Sequence, residues 1–395
     1  MRLLSSLLLL AGMANAQEPL FPPAQLSRIQ SGLRHLYNMD YERARHTFQS
    51  LTEEFPEDPA GYAYLAMTYW VEELAGTQEL SIDRFAASDF FVENPQYRPE
   101  INPHVEAEFR RLTWEAIEKA RRRLENDPQD LAARFLRGLA YRNLASFEVS
   151  LKRSWWAGFR AGAKTVRDHR ELLRSHPDFH DARLSTAVYD YVTGSLPWSV
   201  KWLAFLLGYR GDRERGKREL ELAAEKAPLA GDDARVVLVL IYTRERNYGK
   251  ALQHLEELHR KYPENYLVHL DMAGMALRMG ATDRALALYE EMLRTHSESR
   301  SRYRALEPAR VCTRIGAALR LRGELQQAEV WLRRSLDSNA TVRTQTVARL
   351  ELAKTLDRMG RRQEALQLYE AVRSAPDVAG SRGEAQRLLR TPFHE

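Results

Sequence analysis

A single cysteine, Cys312, stands in a chain of 395 residues, so no intrachain disulfide can form. A lone cysteine in a helical context reads as a small core residue. Beyond residue 16 the sequence has no second apolar run of the roughly 18 residues that a membrane span needs. The longest candidate, 196–209, is broken by Pro197 and Lys201. Charge of one sign is also scarce. The 59 basic and 54 acidic side chains leave only +5, and no Arg/Lys block is interleaved with stacking aromatics. Nothing in that pattern points to nucleic acid. Period-two alternation is missing too, which excludes an extensive sheet.

Motifs of chemistry are equally thin. There is no H-E-x-x-H, no cysteine pair and no G-x-S-x-G. His176 and His180 are four apart but separated by Pro177, and His254 and His259 diverge on a helix. Gly211–Lys217 reads G-D-R-E-R-G-K, but Arg218 follows where a phosphate loop needs Ser or Thr for magnesium. It reads better as a helix start, with Asp212 as N-cap and Glu214 at the positive dipole end. No metal, cofactor or catalytic residue is expected. An enzyme would need a spatial site in the inserted region, without sequence trace.

What is present begins at the amino terminus. Arg2 gives a positive start, Leu3–Ala11 is nearly all leucine, and Ala14-Asn15-Ala16 offers small residues to a signal peptidase. Cleavage after Ala16 makes Gln17 the first mature residue and leaves a chain of +4. The expected fate is export to the periplasm or beyond.

The rest of the chain is repetitive. Residues 232–265 read as an amphipathic helix, a polar turn, a second amphipathic helix and a proline break. Leu238, Ile241 and Tyr242 mark the first helix, and Ala251, Leu255 and Leu258 the second. The next 34 residues, 266–299, answer the latter three with Ala285, Tyr289 and Met292. Further units fit at 25–58 (Gly32, Ala44, Phe48, Pro56), from Tyr62, from Gly138, from Ala182 to Pro228, around Ile315 and Ala328, and around Leu352 and Ala365. Residues 75–104 read as an insertion in the second unit, and a short helix near Glu384–Arg390 as a cap.

This pattern resembles the tetratricopeptide repeat, in which alanine lets two helices approach and proline ends the second. The resemblance implies an all-α, right-handed solenoid of about eight helix pairs. It divides into an irregular array at 17–230, with insertions, and a regular array at 231–395. Residues 182–230, with Ser195-Leu196-Pro197 and Gly208–Gly216, are similar to the central segment of a family of uncharacterised bacterial repeat proteins. Those proteins are related to eukaryotic repeat proteins of inclusion-body clearance.

The resemblance also implies a scaffold for protein partners, with the first helix of each pair lining a groove. Laid on this chain, the groove stripe includes Arg244, Arg278, Arg310, Thr313, Arg320, Lys354, Asp357 and Arg358. Its basic excess suits an acidic or carboxylate-bearing peptide. The alternative is an ordinary solvated face. Val236 and Leu240 stand where the clamp for chaperone tails carries Lys and Asn, which disfavours that ligand. Trp198, Trp202 and Phe205 share one helix face, either as a core plug or as an apolar anchor for a membrane surface.

Overall fold

The computed structural model describes residues 20–77, 100–195, 211–298, 302–378 and 380–394. Among the described residues the secondary structure is entirely helical, with seventeen α-helices and two short 3-10 turns. They pair in chain order. Unit 1 is α1 (Pro23–Tyr37) and α2 (Tyr41–Glu54), and unit 2 is α3 (Pro59–Gly76) and α4 (Pro103–Asn126). Unit 3 is α5 (Leu131–Ser150) and α6 (Trp155–Ser175), and unit 4 is α7 (Arg183–Gly194) and α8 (Arg213–Lys226). Unit 5 is α9 (Gly231–Arg244) and α10 (Tyr248–Lys261), and unit 6 is α11 (Tyr266–Arg278) and α12 (Thr282–Glu298). Unit 7 is α13 (Pro308–Arg322) and α14 (Leu325–Leu336), and unit 8 is α15 (Val342–Arg358) and α16 (Arg362–Ser374). The cap, α17, spans Ser381–Arg390. The described residues form an all-α solenoid of eight helix pairs, as the repeat implies.

Local chemistry sets the helix starts. Asp40, Asp58, Asn102, Asp130, Asp212, Asn247 and Asn265 each accept a first-turn N–H with the side chain. Asp212 Oδ1 takes the N–H of Arg215 at 2.9 Å, so the glycine-bracketed segment at 211–216 is the helix start expected of it.

Close packing explains the small residues. Ala44, Ala251, Ala285, Ala328 and Ala365 are all fully buried at the same position of their second helices. A Cβ on Gly32 would fall 2.4 Å from the Phe48 ring, and one on Gly316 2.5 Å from Leu332 Cγ. The apolar core forms four successive clusters along the chain, because each pair buries its face only on its neighbours. Cys312 of α13 is buried, and burial raises its thiol pKa.

The turn inside a unit recurs as well. Met39, Arg246, Gly280, Gly323 and Gly360 have φ of 61°, 58°, 78°, 87° and 77°. Each is bridged by a backbone bond from the next N–H to the carbonyl five residues before that donor, such as Asn247 N to Tyr242 O at 2.8 Å. Glycine adopts this left-handed conformation freely, whereas arginine and methionine do not.

First helices pack on their counterparts in the next unit, α3 on α5, α7 on α9 and α13 on α15, which puts them on the inside of the curve. The curve is tight enough for unit 1 to meet units 5 and 6. The Tyr37 hydroxyl donates to Asp233, whose other oxygen takes Arg142 of unit 3 at 3.0 Å. Asn265 Nδ2 donates to Tyr37 O at 2.8 Å, the Tyr37 and Tyr262 rings lie 5.0 Å apart, and Arg302 pairs with Asp40. Alongside, Asp181 accepts the N–H groups of Leu229 and Ala230 at 2.9 and 2.7 Å. Burial pushes its carboxyl up to about 6 even so. Leu20 and Phe21 fold inward too, Phe21 meeting the Phe135 ring edge-on at 6.5 Å.

Two outcomes test this architecture. Arg246 is exposed, and Arg246→Gly should raise stability by about 0.5–1 kcal/mol in a denaturant titration. No gain would mean that the turn carries no strain. Tyr37→Phe should cost about 1–2 kcal/mol. It should also lower hydrogen-exchange protection across α1 and α2, and unchanged protection there would remove Tyr37–Asp233 as the clasp.

Candidate partner-binding surface

With the first five units meeting across their own interior, the inner surface beyond the clasp is that of α11, α13, α15 and α17. Its residues are cationic in sequence, but their neighbours divide them into two groups.

At the far end the cations are already paired. Arg320 of α13 reaches Glu351 Oε2 at 3.0 Å, and Lys354 of α15 reaches Glu351 Oε1 and Glu384 Oε1, each at 2.9 Å. Arg320 and Lys354 are buried, at 6% and 8% exposure, which is too little for an ordinary solvated arginine or lysine. Burial alone would raise the Glu351 carboxyl, but Lys354 and Arg320 hold it below the usual range. Arg358 is exposed and donates to the backbone oxygen of Arg320 at 3.0 Å. Asp357 accepts Arg362 at 2.9 Å and the Tyr369 hydroxyl at 3.0 Å.

Nearer the clasp the balance differs. Arg310 is half-buried on α13, with Arg314 one turn further along the same helix. Among the described residues its guanidinium has no ion pair or hydrogen bond. Burial pushes its pKa down, the charges of Arg314 and Arg343 push the same way, and Asp271 and Tyr266 of α11 oppose them. A desolvated arginine facing like charges without a bonded carboxylate is an electrostatic arrangement that an anion completes.

The remaining stripe residues fall elsewhere. Thr313 is 3% exposed, with its hydroxyl engaged by Ala309 O at 3.0 Å and Ser335 Oγ at 2.8 Å, between α13 and α14. It therefore leaves the binding set. A helix with 3.6 residues per turn and apolar contacts on two sides turns position 313 toward its own partner helix rather than the groove. Arg244 and Arg278 are exposed in the last turns of α9 and α11, with Arg278 5.8 Å from the Tyr248 ring centroid. They lie by the intra-unit turns, apart from the Arg310 group. Trp198, Trp202 and Phe205 lie outside the described residues, as do residues 1–16 and most of the 75–104 insertion.

Sequence reasoning passed over Arg314, Arg343, Glu351 and Phe393. Arg314 was findable, one turn from Arg310. Phe393 had no signal, because it follows the last helix and no periodicity reaches it. Among the described residues no cluster of three His, Cys, Asp or Glu could hold a metal, and no helix is long and apolar enough to cross a membrane.

The family model of the tetratricopeptide repeat matches residues 242–307, the second helix of unit 5 and all of unit 6. No curated protein sequence matches the chain. Solved structures similar to it include yeast Tom70, at 12% identity and TM-score 0.39 over 91% of this chain and 87% of that one. The human IFIT1 dimer with m7Gppp-AAAA is similar at 13% identity and TM-score 0.42, over 93% and 87%. A tetratricopeptide repeat protein from Parabacteroides merdae ATCC 43184 is similar at 14% identity and TM-score 0.29, over 84% and 98%. The tetratricopeptide repeat is thus present at 242–307, set in a chain whose other described residues also form successive helix pairs.

Proposed function

We propose that the protein is an exported scaffold of the cell envelope that holds a protein partner by an acidic stretch laid along the inner surface of units 6 to 8. Tetratricopeptide repeats generally mediate protein–protein contacts and are typically non-catalytic, which supports a binding role over an enzymatic one. The observation that carries the acidic ligand is Arg310, a half-buried guanidinium with no carboxylate bonded to it and with Arg314 and Arg343 close enough to repel it. A peptide carboxylate arriving there finds a fork-shaped donor already desolvated, which strengthens the contact relative to one at the open surface. Arg320 and Lys354 serve this reading less, because Glu351 meets their charges, and Arg358 is turned onto the Arg320 carbonyl.

Export is supported by the leader-like residues Arg2, Leu3–Ala11 and Ala14-Asn15-Ala16. The protein recovered from the envelope fraction should have the mass of a chain beginning at Gln17. Recovery of the uncleaved chain inside the cell would sink the export reading.

Binding is tested with a fluorescein-labelled hexaglutamate peptide and the purified protein. Affinity should fall as salt rises and drop about tenfold in Arg310→Ala. It should not change in Arg43→Ala, an exposed arginine on α2. Equal loss in both variants would reduce the effect to net charge. Tighter binding of an RNA oligonucleotide, lost in Arg310→Ala, would replace the protein partner with nucleic acid.

A further inference from the structure

The segment after the last helix does not leave the molecule. The carbonyls of Leu388 and Leu389, at the end of α17, accept from Arg362 Nη2 at 2.7 and 3.0 Å, so that helix is capped without help from the tail. Thr391 is extended, with φ −130° and ψ 126°, and the chain turns back across the inner surface of units 7 and 8. There the N–H of Phe393 donates to Asp357 Oδ2 at 2.9 Å. The Phe393 ring centroid lies 4.9 Å from the Arg320 guanidinium carbon and 5.6 Å from the Lys354 ammonium.

This is a built pocket rather than a chance contact. Its two cations come from adjacent units and are both buried, and Glu351 bonds both of them. The Asp357 carboxylate is itself oriented by Arg362 and Tyr369. Two recognition elements result, a carboxylate that reads one backbone N–H and a pair of cations that reads one aromatic face. Neither element depends on the flanking side chains, and Thr391, Pro392 and His394 are exposed. Phe393 itself is half-buried and packs against the apolar cluster of units 7 and 8, so its ring is held but not enclosed.

We infer that the inner surface of units 7 and 8 is a receptor for an extended peptide bearing one aromatic residue, and that residues 391–394 of this chain occupy it in cis. The partner peptide enters by displacing the tail. A tethered tail acts at high effective concentration, so the apparent affinity for an outside peptide is reduced by the fraction of time the pocket is empty. This rests on the peptide-binding reading of the same inner surface. It uses different residues from the Arg310 group, so either can fail without the other.

The test uses the purified full protein and a labelled peptide of sequence TPFHE, residues 391–395 of the chain. The Phe393→Ala protein should bind this peptide at least about tenfold more tightly than wild type does. The peptide TPAHE carries the same carboxylates without the ring, and it should bind the Phe393→Ala protein at least about tenfold more weakly than TPFHE does. Equal affinity of wild type and Phe393→Ala for TPFHE, or binding of TPAHE as tight as that of TPFHE, would overturn the proposal. So would a concentration-dependent dimer of wild type, abolished in Phe393→Ala, which would seat the tail in a second copy. The gain of TPFHE binding on Phe393→Ala should persist when Arg310→Ala is added to both proteins, which separates this pocket from the acidic-peptide site.

Discussion

One carboxylate organises the curvature of this solenoid. Asp233 stands in the first turn of α9 and receives a tyrosine hydroxyl from unit 1 and a guanidinium from unit 3. An open stack of helix pairs has no reason to bring residues nearly two hundred positions apart together, since each pair buries its apolar face only on its neighbours. The polar clasp supplies one. Each donor satisfies a separate oxygen, and Asp232 beside it is taken up by Arg235, Lys261 and Tyr262. Two adjacent carboxylates are thus half-buried or buried without an orphaned charge, which is the condition for polar groups inside a fold. Removing either carboxylate would strand its donors as well as lose a bond.

The clasp decides which inner surface faces outward. Units 1 to 5 meet across their interior, and Phe21, from the segment preceding α1, packs against Phe135 of unit 3. Beyond the contacts of Asn265 and Arg302 with unit 1, the described residues of units 6 to 8 show no such closure from the amino-terminal side. Their cations then follow two courses set by local partners. Arg320 and Lys354 have Glu351 between them and form a rigid frame around the Phe393 ring. Arg310 has Arg314 and Arg343 as electrostatic neighbours and no bonded carboxylate. The same residue type on the same helix is therefore a paired structural ion at one end and a desolvated cation without a bonded carboxylate at the other, which is what the proposed function builds on.

Much of the fold was legible from residue order. Alanine at 44, 251, 285, 328 and 365, with a large apolar residue four positions later, marks the second helix because only a small side chain fits where two helices approach closely. Asp212 was readable as an N-cap because short acidic side chains reach first-turn N–H groups wherever a helix begins. The site was less legible. The groove stripe located Arg310, Arg320, Lys354 and Arg358, but it also included Thr313, which packs against Ser335. Periodicity locates a helix face to within one residue's rotation, about 100°, and that is enough to send a side chain into the wrong interface.

Residue order by itself determined what depends on neighbours within a unit. The helix pairs, their caps, their close-packed alanines and the all-helical character of the described residues are local matters, governed by backbone geometry and short-range packing. The tertiary structure decided everything that depends on curvature. The meeting of Tyr37 with Asp233, the pairing of Arg320 and Lys354 through Glu351, and the return of Phe393 onto α13 and α15 all join residues whose separation no periodicity encodes. Small rotations between successive units add up along a solenoid, so their sum, rather than any one motif, sets which distant side chains come within reach.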